Sequence, residues 1–456
     1  MNIKMLKKKT VDPLLEKQWK KYQKSIGEPK LRSKLVGRIN DESLLNIIVN
    51  DLEPISKMGV NEYIFFQKWW EIREKYPGCR QSTLGGDTFV YDNVEQQRFI
   101  QRIKHNIWIP KTPEDFRNLK PRLVSTDDSE VIESPSPFGG TQRIEIARNK
   151  ELPEIWNCIR NFISTMKNSS NIGRNLNYLV VDEVTGKYLG VICLSSDFLD
   201  LTPRDNHIGW PRDLKTTGGK INHTAIGSTI VPFQPLGYNH VGGKLLALLC
   251  LSDRVQEDWK SRYGDTLVGV TTTSLYGKSK PDGMSQYDGL KHWKKMGFSS
   301  GSVSFQPTKP TIKLMLEWLE YNHPRKYFEW YVAIKPSGQP YKRDHRNRSY
   351  SFIYSQLKVP KELIKADHYR GIYFSELYEN TCEFLRGEIT EDKLVKKFDT
   401  SEEYLSKLWL DKYAEKRYNS LIKNNREFSN QTLFYDDLSW LSWAESKKKY
   451  LGDVGR

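Results

Sequence analysis

Three short polar stretches carry side chains that can move a proton or bind an anion. They are Arg204 with Asp205, Tyr238 with Asn239 and His240, and Tyr287 with Asp288. Imidazole, phenol and carboxylate groups are the usual partners in general acid–base chemistry. If the fold brings the three stretches into one cleft, the catalytic candidates are His240, Tyr238, Asp205, Tyr287 and Asp288.

Each of these candidates has a structural alternative. His240 is the best candidate for acid–base work or metal ligation, because its ordinary pKa lies near neutrality. A single histidine on a loop is more often a hydrogen-bonded polar residue. Arg204 and Asp205 equally fit an ion pair that only holds their loop in place.

The glycine turn next to His240 has the pattern of an anion-binding site. A β-branched run from Ile226 to Val231 leads through this turn into an apolar segment, 245–251. A helix that starts at such a turn directs unpaired backbone N–H groups at one place, and glycine lets a ligand approach. The cofactor-binding candidates are therefore Asn239, Val241, Gly242, Gly243 and Lys244. The alternative is an ordinary β-α-β unit whose glycines only serve a tight turn.

The charge balance predicts a polyanionic partner. The chain has 456 residues, 71 Lys and Arg against 56 Asp and Glu, and a net charge of +15. Proteins this basic commonly bind nucleic acid, and aromatic residues, here 12% of the chain, can stack on bases. We therefore expect DNA as a partner, although lysine-rich surfaces also aid solubility.

Composition predicts the cytoplasm as the location. The five cysteines are scattered singly without a C-x-x-C pair, which argues against a zinc site and against disulfides. Mean hydropathy is −0.66, and no apolar run approaches the roughly 20 residues of a membrane span. The basic N-terminus is not followed by an apolar stretch of the kind found in secretory signals.

Four regions follow from the pattern of apolar residues and turns. Residues 1–125 are predicted to be mainly helical, residues 126–140 a linker, and residues 141–308 the core domain. In the core we expect a helix from Pro153 to Met166, strands at 178–181 and 188–193, a loop at 202–210, a strand at 267–273 and a helix at 286–298.

The remaining region, 309–456, is predicted to be a basic α+β segment that is helical from Tyr373 onward. Two predicted strands, 325–334 and 349–357, flank a loop rich in cations. This loop supplies the nucleic-acid candidates Lys342, Arg343, Arg346 and Arg348, to which Arg204 is added from the core. A solvated hairpin tip is the alternative for this loop.

The order strand, helix, hairpin, strand, glycine turn, helix, strand and helix resembles the GNAT-type N-acetyltransferase fold. The resemblance implies an α+β protein with a central mixed sheet flanked by helices. It also implies an acyl-coenzyme A-like donor, bound at the turn after the fourth strand. At that place the chain has Asn239-His240-Val241-Gly242-Gly243-Lys244, where the family pattern is Arg/Gln-x-x-Gly-x-Gly/Ala.

A second resemblance covers about 175–300 and rests on several short motifs. They are Tyr188-Leu189-Gly190-Val191, Arg204-Asp205 with Ile208-Gly209-Trp210, Pro232 with Asn239-His240, Asp258-Trp259 with Arg262-Tyr263-Gly264, and Trp293 with Gly297. In these the chain is similar to the DruA family of the Druantia anti-phage system, which also occurs in phages and mobile elements. A more distant likeness is to phage Mom proteins, which modify adenine in phage DNA and protect it from restriction.

Two hypotheses of function follow from these resemblances. In the first, the chain is a phage or mobile-element transferase that modifies a DNA base. In the second, it is a non-catalytic DNA-binding component of a DruA-type defence or transposition system. The sequence leaves the donor, the target base and the oligomeric state open.

Overall fold

The computed structural model describes residues 12–26, 39–75, 79–81, 89–91, 98–99, 102–103, 105–110, 112–128, 132–135, 141–144, 151–167, 173–232, 241–274, 285, 287–338, 340–341, 345–424, 438 and 441–451. The chain divides into two compact units. The smaller unit comprises residues 1–59 and 302–367, and the larger comprises 60–301 and 368–456. The four regions expected from the sequence have other boundaries and stay a prediction.

The described strands are β1 (Cys79–Gln81), β2 (Phe89–Tyr91), β3 (Pro121–Ser125), β4 (Ile132–Pro135), β5 (Thr141–Ile144), β6 (Asn175–Asp182), β7 (Tyr188–Ser196), β8 (Thr224–Pro232), β9 (Gly269–Thr273), β10 (Lys294–Phe298), β11 (Gly301–Ser304), β12 (Lys365–His368) and β13 (Gly371–Glu376). Seven of them form one sheet in the order β10-β13-β9-β8-β7-β6-β3. Within this sheet only β8 and β9 pair in parallel.

The described α-helices are α1 (Pro13–Ile26), α2 (Asp41–Ser56), α3 (Val60–Lys75), α4 (Pro113–Arg117), α5 (Leu152–Ile163), α6 (Thr202–Ile208), α7 (Arg212–Thr216), α8 (Gly242–Leu249), α9 (Asp253–Tyr263), α10 (Lys309–Asn322), α11 (Pro324–Tyr327), α12 (His345–Gln356), α13 (Lys361–Ile364), α14 (Thr381–Leu385), α15 (Glu402–Trp409), α16 (Glu415–Lys423) and α17 (Trp443–Ser446). Short π-helical turns continue α11, α15 and α17. Among these helices, none has the length and apolar character that crossing a membrane requires.

The seven-stranded sheet carries apolar side chains on both faces. On one face Tyr178 and Val180 pack with α8, whose residues 245–249 are fully buried. On the other face Leu179 and Val181 pack with α5. The alternation follows from the period of two along a strand. A sheet covered on both sides explains the nearly continuous apolar runs of β6 and β7.

The smaller unit is built mainly from helices. α2 buries Leu44, Ile48 and Leu52 at helical spacing, and Asn40 caps its first turn through a hydrogen bond from the Ser43 amide. Asp41 also accepts a hydrogen bond from the indole of Trp318 on α10 at 2.8 Å. The bond between Trp318 and Asp41 ties the two segments of the unit together.

The predicted fold class is confirmed, since the chain is α+β with a mixed sheet flanked by helices. The N-terminal helices, the α5 helix, the β6–β7 hairpin and the β9 strand also lie where the sequence placed them.

Several local predictions are wrong. The expected loop at 202–210 contains α6, which begins with Pro203 in its first turn, a position that proline favours. The expected helix at 286–298 contains strand β10, and the expected helical region after Tyr373 contains part of β13. The expected strands at 325–334 and 349–357 are helical. The expected linker contains β4, which pairs with β5 in the following region.

We predict that Glu402 makes the stability of the larger unit depend on pH. Its carboxylate accepts a hydrogen bond from the Leu123 amide at 3.2 Å, and burial raises its pKa from 4.5 to about 7. A pKa raised by folding means that the stabilisation is present below pH 4.5 and is lost as the pH rises through 7. Relative to Glu402→Gln, the wild type should lose up to about 3 kcal/mol of unfolding free energy between pH 4.5 and 8.

Urea denaturation at several pH values measures this difference. Glu403→Gln is the matched control, because Glu403 is the neighbouring residue and is exposed. Parallel stability profiles for the wild type and Glu402→Gln would contradict the prediction.

Candidate functional site

Helix α8 starts directly at the predicted anion-binding turn. It follows β8, which is the fourth strand of the seven-stranded sheet in chain order. Val241, Gly242 and Gly243 are buried, and Gly242 has a φ of 69°, which glycine adopts without strain. Tyr238, Asn239 and His240 lie outside the described residues.

Two cations lie close to the start of α8. Lys244 places its Nζ 4.5 Å from the ring centroid of Tyr413. Arg417 of α16 packs against Gly242, so that a Cβ at Gly242 would lie 2.9 Å from the Arg417 Nε. Burial lowers the pKa of Arg417 to about 10, and burial together with the Arg417 charge lowers the pKa of Lys244. A cation pair at the positive end of a helix favours an anionic ligand.

Asp288 lies in a hydrogen-bonded group on the face of the sheet that carries α8. It accepts hydrogen bonds from the Tyr373 hydroxyl at 2.6 Å and from the Ser285 amide at 2.9 Å, and its oxygen is 3.1 Å from Lys295 Nζ. Burial alone would raise the pKa of Asp288, but these partners together lower it. Burial and the bond to Asp288 raise the pKa of Tyr373. Asp288 is therefore ionised and Tyr373 protonated at neutral pH.

Tyr413 joins the start of α8 to the turn that contains Asp288. Its ring faces Lys244, while its hydroxyl accepts from the Lys291 amide at 3.0 Å and donates to the Gly289 carbonyl at 3.3 Å. Tyr287 is 4% exposed, with its ring 5.4 Å from that of Tyr373. The structure thus brings the start of α8 and the turn with Tyr287 and Asp288 around one side chain, Tyr413, that the sequence did not single out.

The stretch with Arg204 and Asp205 lies on the opposite face of the sheet. Tyr373 and Phe374 are neighbours on β13 and point to opposite faces. Tyr373 packs in the cluster that holds α8 and Tyr287, whereas Phe374 packs with Ile208 of α6. Asp205 on α6 is therefore separated by the sheet from Asp288 and Lys244.

Arg204 and Asp205 form a buried ion-pair network. The Arg204 side chain is fully buried, with its guanidinium 2.7 Å from Asp197 and 2.7 Å from Asp205. Asp197 also accepts a hydrogen bond from Thr271 on β9, and Asp205 is 2.9 Å from Lys215. A guanidinium without solvent exposure cannot reach a phosphate. The structure therefore gives Arg204 the internal role that the sequence left open as an alternative.

The smaller unit contains a basic and aromatic pocket. Arg346 and Arg348 are exposed on α12, while Lys342 and Arg343 lie outside the described residues. The pocket has a volume of about 360 Å³ and is lined by Lys326, Trp330, Asn347, Arg348, Ser351 and Phe352. Its cations and flat rings are the groups that bind phosphates and stack on bases. The sequence predicted Arg348 but missed Lys326, Trp330 and Phe352, because it placed them on strands.

The rings of this pocket are held in a fixed arrangement. Trp330 and Phe352 meet edge to face with centroids 5.7 Å apart, and Lys326 Nζ lies 4.4 Å from the Phe352 centroid. Arg348 and Phe352 are four residues apart on α12, so both side chains lie on one face of that helix.

The net charge of the chain is concentrated in the smaller unit. Residues 1–59 and 302–367 carry 25 Lys and Arg against 13 Asp and Glu, and the rest of the chain carries 46 against 43. The smaller unit therefore has a net charge of +12 and the larger unit +3, which together give +15.

The fold and these two cation-bearing sites define a basic α+β protein with surfaces suited to anionic ligands. Comparison with known proteins gives the family. The chain belongs to the DruA family, because the model of that family, described as Druantia protein DruA, matches residues 139–387.

A curated relative agrees with this assignment. Druantia protein DruA of Escherichia coli strain UMEA 4076-1 is 28% identical to this chain over 232 residues. The similar region covers 48% of this chain and 54% of the relative, so the chain spans about half the length of that protein. No solved structure matches the chain. The family match includes β6 to β13 and the pocket in the smaller unit, whereas Arg417 lies beyond it.

We predict that the contact between Gly242 and Arg417 makes Gly242 less tolerant of substitution than Gly264. Both glycines have a positive φ, 69° and 77°, but a Cβ at Gly264 would meet nothing within 4 Å. Gly264→Ala should cost about 1–2 kcal/mol of unfolding free energy through its backbone conformation alone. Gly242→Ala should cost more than that, because the end of the Arg417 side chain must move.

Chemical denaturation of the two variants measures the difference. Equal losses for both variants would contradict the prediction.

Proposed function

We propose that this chain is a DNA-binding component of a DruA-type defence system, and that the pocket of the smaller unit holds part of its nucleic-acid contact. The proposal rests on the coincidence of two features in one unit. The unit carries most of the net charge of the chain, and it contains a pocket lined by cations and aromatic rings. Membership in a family named for the Druantia system supports the defence role.

The pocket suits one nucleotide. Arg348 and Lys326 would bind phosphate oxygens, and the side chains of Asn347 and Ser351 add hydrogen-bonding groups for a sugar or a base edge. The faces of Trp330 and Phe352 offer surfaces for stacking, which depends little on base identity. About 360 Å³ lies within the usual range for small-ligand sites.

The net charge of +12 supplies the longer-range part of the binding. Lys and Arg side chains that neutralise phosphates release counterions, so the affinity falls as salt rises. The nearly neutral larger unit adds little to this effect. We therefore expect binding that is salt-sensitive and weakly selective for sequence.

We predict that Arg348→Ala weakens DNA binding severalfold. It should also reduce the slope of log affinity against log salt concentration by about one, as expected for one lost phosphate contact. Trp330→Ala should remove about 1–3 kcal/mol of binding to single-stranded DNA through lost stacking. Fluorescence anisotropy with labelled single- and double-stranded oligonucleotides at several salt concentrations measures both effects.

Lys313→Ala is the matched control for these variants. Lys313 is a cation of the same unit, 79% exposed and outside the pocket. If Arg348→Ala and Lys313→Ala reduce binding equally, only general charge matters and the pocket is not the contact. Absence of DNA binding by the wild type would contradict the proposal itself.

A second candidate function, a Mom-like transferase acting on a DNA base, is favoured by one specific observation. Gly242, at the start of the helix that follows the fourth strand, lies beside Lys244 and the partly buried Arg417. That arrangement suits the phosphates of an acyl-coenzyme A-like donor. Lys244 and Arg417 would hold the anion, and the Gly242 backbone would allow its close approach.

We predict for this candidate that DNA from cells expressing the protein contains a modified nucleoside, and that Lys244→Ala lowers its amount at least tenfold. Mass spectrometry of digested nucleosides measures the amount. Lys407→Ala, which changes a lysine that is 73% exposed, is the control and should leave it unchanged. Unmodified nucleosides from wild-type cultures would contradict the transferase and leave the binding component as the function.

A further inference from the structure

Three side chains of the types that bind metal ions meet beside the sheet, on the face that carries α6. His207 Nε2 lies 2.6 Å from Glu376 Oε1, and the Cys382 Sγ lies 4.0 Å from His207 Nε2 and 3.9 Å from Glu376 Oε1. Among the described residues, this is the one group of three or more His, Cys, Asp or Glu side chains whose ligand atoms lie this close together. Neither proposed function uses it.

The backbone of each of the three residues is fixed by the surrounding fold. His207 is in the last turn of α6, whose residue Arg204 is held by the buried ion pairs with Asp197 and Asp205. Glu376 ends β13, where it is in register with Gly269 of β9. Cys382 follows Thr381, whose buried hydroxyl donates to the Val268 carbonyl at 3.1 Å. The cluster therefore results from tertiary structure that is already determined without it.

The donor atoms suit a zinc ion. An imidazole nitrogen, a carboxylate oxygen and a thiolate sulfur are all common zinc ligands, at about 2.0–2.3 Å from the metal. Tetrahedral angles at these bond lengths place neighbouring ligand atoms roughly 3.3–3.6 Å apart. The hydrogen-bonded His207–Glu376 pair would open by less than about 1 Å, and Cys382 would approach by about half that distance. Side-chain rotations suffice for such changes.

The surroundings leave room for one further ligand. The His207 and Glu376 side chains are 23% and 16% exposed, and Cys382 is also partly exposed, so water reaches the cluster. Lys397 Nζ is 2.5 Å from Glu376 Oε2, the oxygen that does not face His207. This ion pair orients the carboxylate with Oε1 toward the cluster, as outer partners of metal ligands commonly do.

We propose that His207, Glu376 and Cys382 bind one Zn²⁺ ion, with water in the fourth position. The ion would join α6 to β13 and α14, which follow one another and whose ligands lie 169 and 175 residues after His207. A sequence search for paired cysteines misses such a site, because each ligand stands alone in its own segment. Three protein ligands and one open position are the arrangement of zinc sites that activate water or bind a substrate oxygen.

Titration of the reduced full-length protein with Co²⁺ tests this site, since cobalt reports its own ligands in the absorption spectrum. We expect one equivalent to bind, with a thiolate-to-cobalt charge-transfer band and the intense visible bands of tetrahedral cobalt, and Zn²⁺ to displace it. Cys382→Ser should abolish the charge-transfer band. His207→Ala and Glu376→Gln should each weaken binding at least tenfold.

Two control variants show whether the cobalt signal is specific to the cluster. Cys250→Ala removes a buried thiol outside the cluster, and His105→Ala removes an exposed imidazole outside it. Both variants should keep the wild-type spectrum and stoichiometry. Circular dichroism without metal establishes that each variant is folded, and the conservative Glu376→Gln tests the site even if His207→Ala unfolds.

Two results would overturn the proposal. One is the absence of stoichiometric Co²⁺ binding at micromolar protein. The other is a cobalt spectrum that Cys382→Ser leaves unchanged.

Discussion

The structure depends on one strand, β13, which joins the sheet after the chain has passed through residues 302–367 of the smaller unit. β13 inserts between β9 and β10 and pairs antiparallel with both. Its alternating side chains reach both faces, so Tyr373 binds Asp288 on one face and Glu376 pairs with His207 on the other. Without β13, β9 and β10 would lose their common partner, and both groups would lose an anchoring residue.

The seven-stranded sheet and most of the net charge belong to different units of the chain. The sheet is covered on both faces by apolar side chains, and its unit is nearly neutral. Most residues between β10 and β13 belong to the smaller unit, which is strongly basic and contains the aromatic pocket. The family match at 139–387 spans both the strands from β6 to β13 and the part of the smaller unit that lies between β10 and β13.

The sequence predicted the elements whose signals are local. The β6–β7 hairpin and helix α5 follow from alternation and helical spacing. The strand predicted at 325–334 contains Tyr327, Phe328 and Trp330, which favour strands. Packing decided otherwise, since Phe328 lies against Trp19 of α1 with ring centroids 5.3 Å apart.

Long-range partners could not be predicted in the same way. β13 carries a strand-like run, Ile372 to Phe374, but nothing in one sequence says that it pairs with residues far earlier in the chain. For the same reason the sequence could not place Arg417 beside Gly242, or Cys382 beside His207. It did select Gly242, Lys244, Asp288 and Arg348, because glycine turns and clustered charges are visible locally.

Hydrogen exchange of the full chain, with and without a DNA oligonucleotide, tests the central claim most directly. We expect the amides of Gly371–Glu376 to exchange as slowly as those of Gly269–Thr273 in both states, because they lie inside the sheet. We also expect DNA to add protection at 324–332 and 345–356. Rapid exchange across β13, or DNA-induced protection confined to the sheet unit, would contradict this claim.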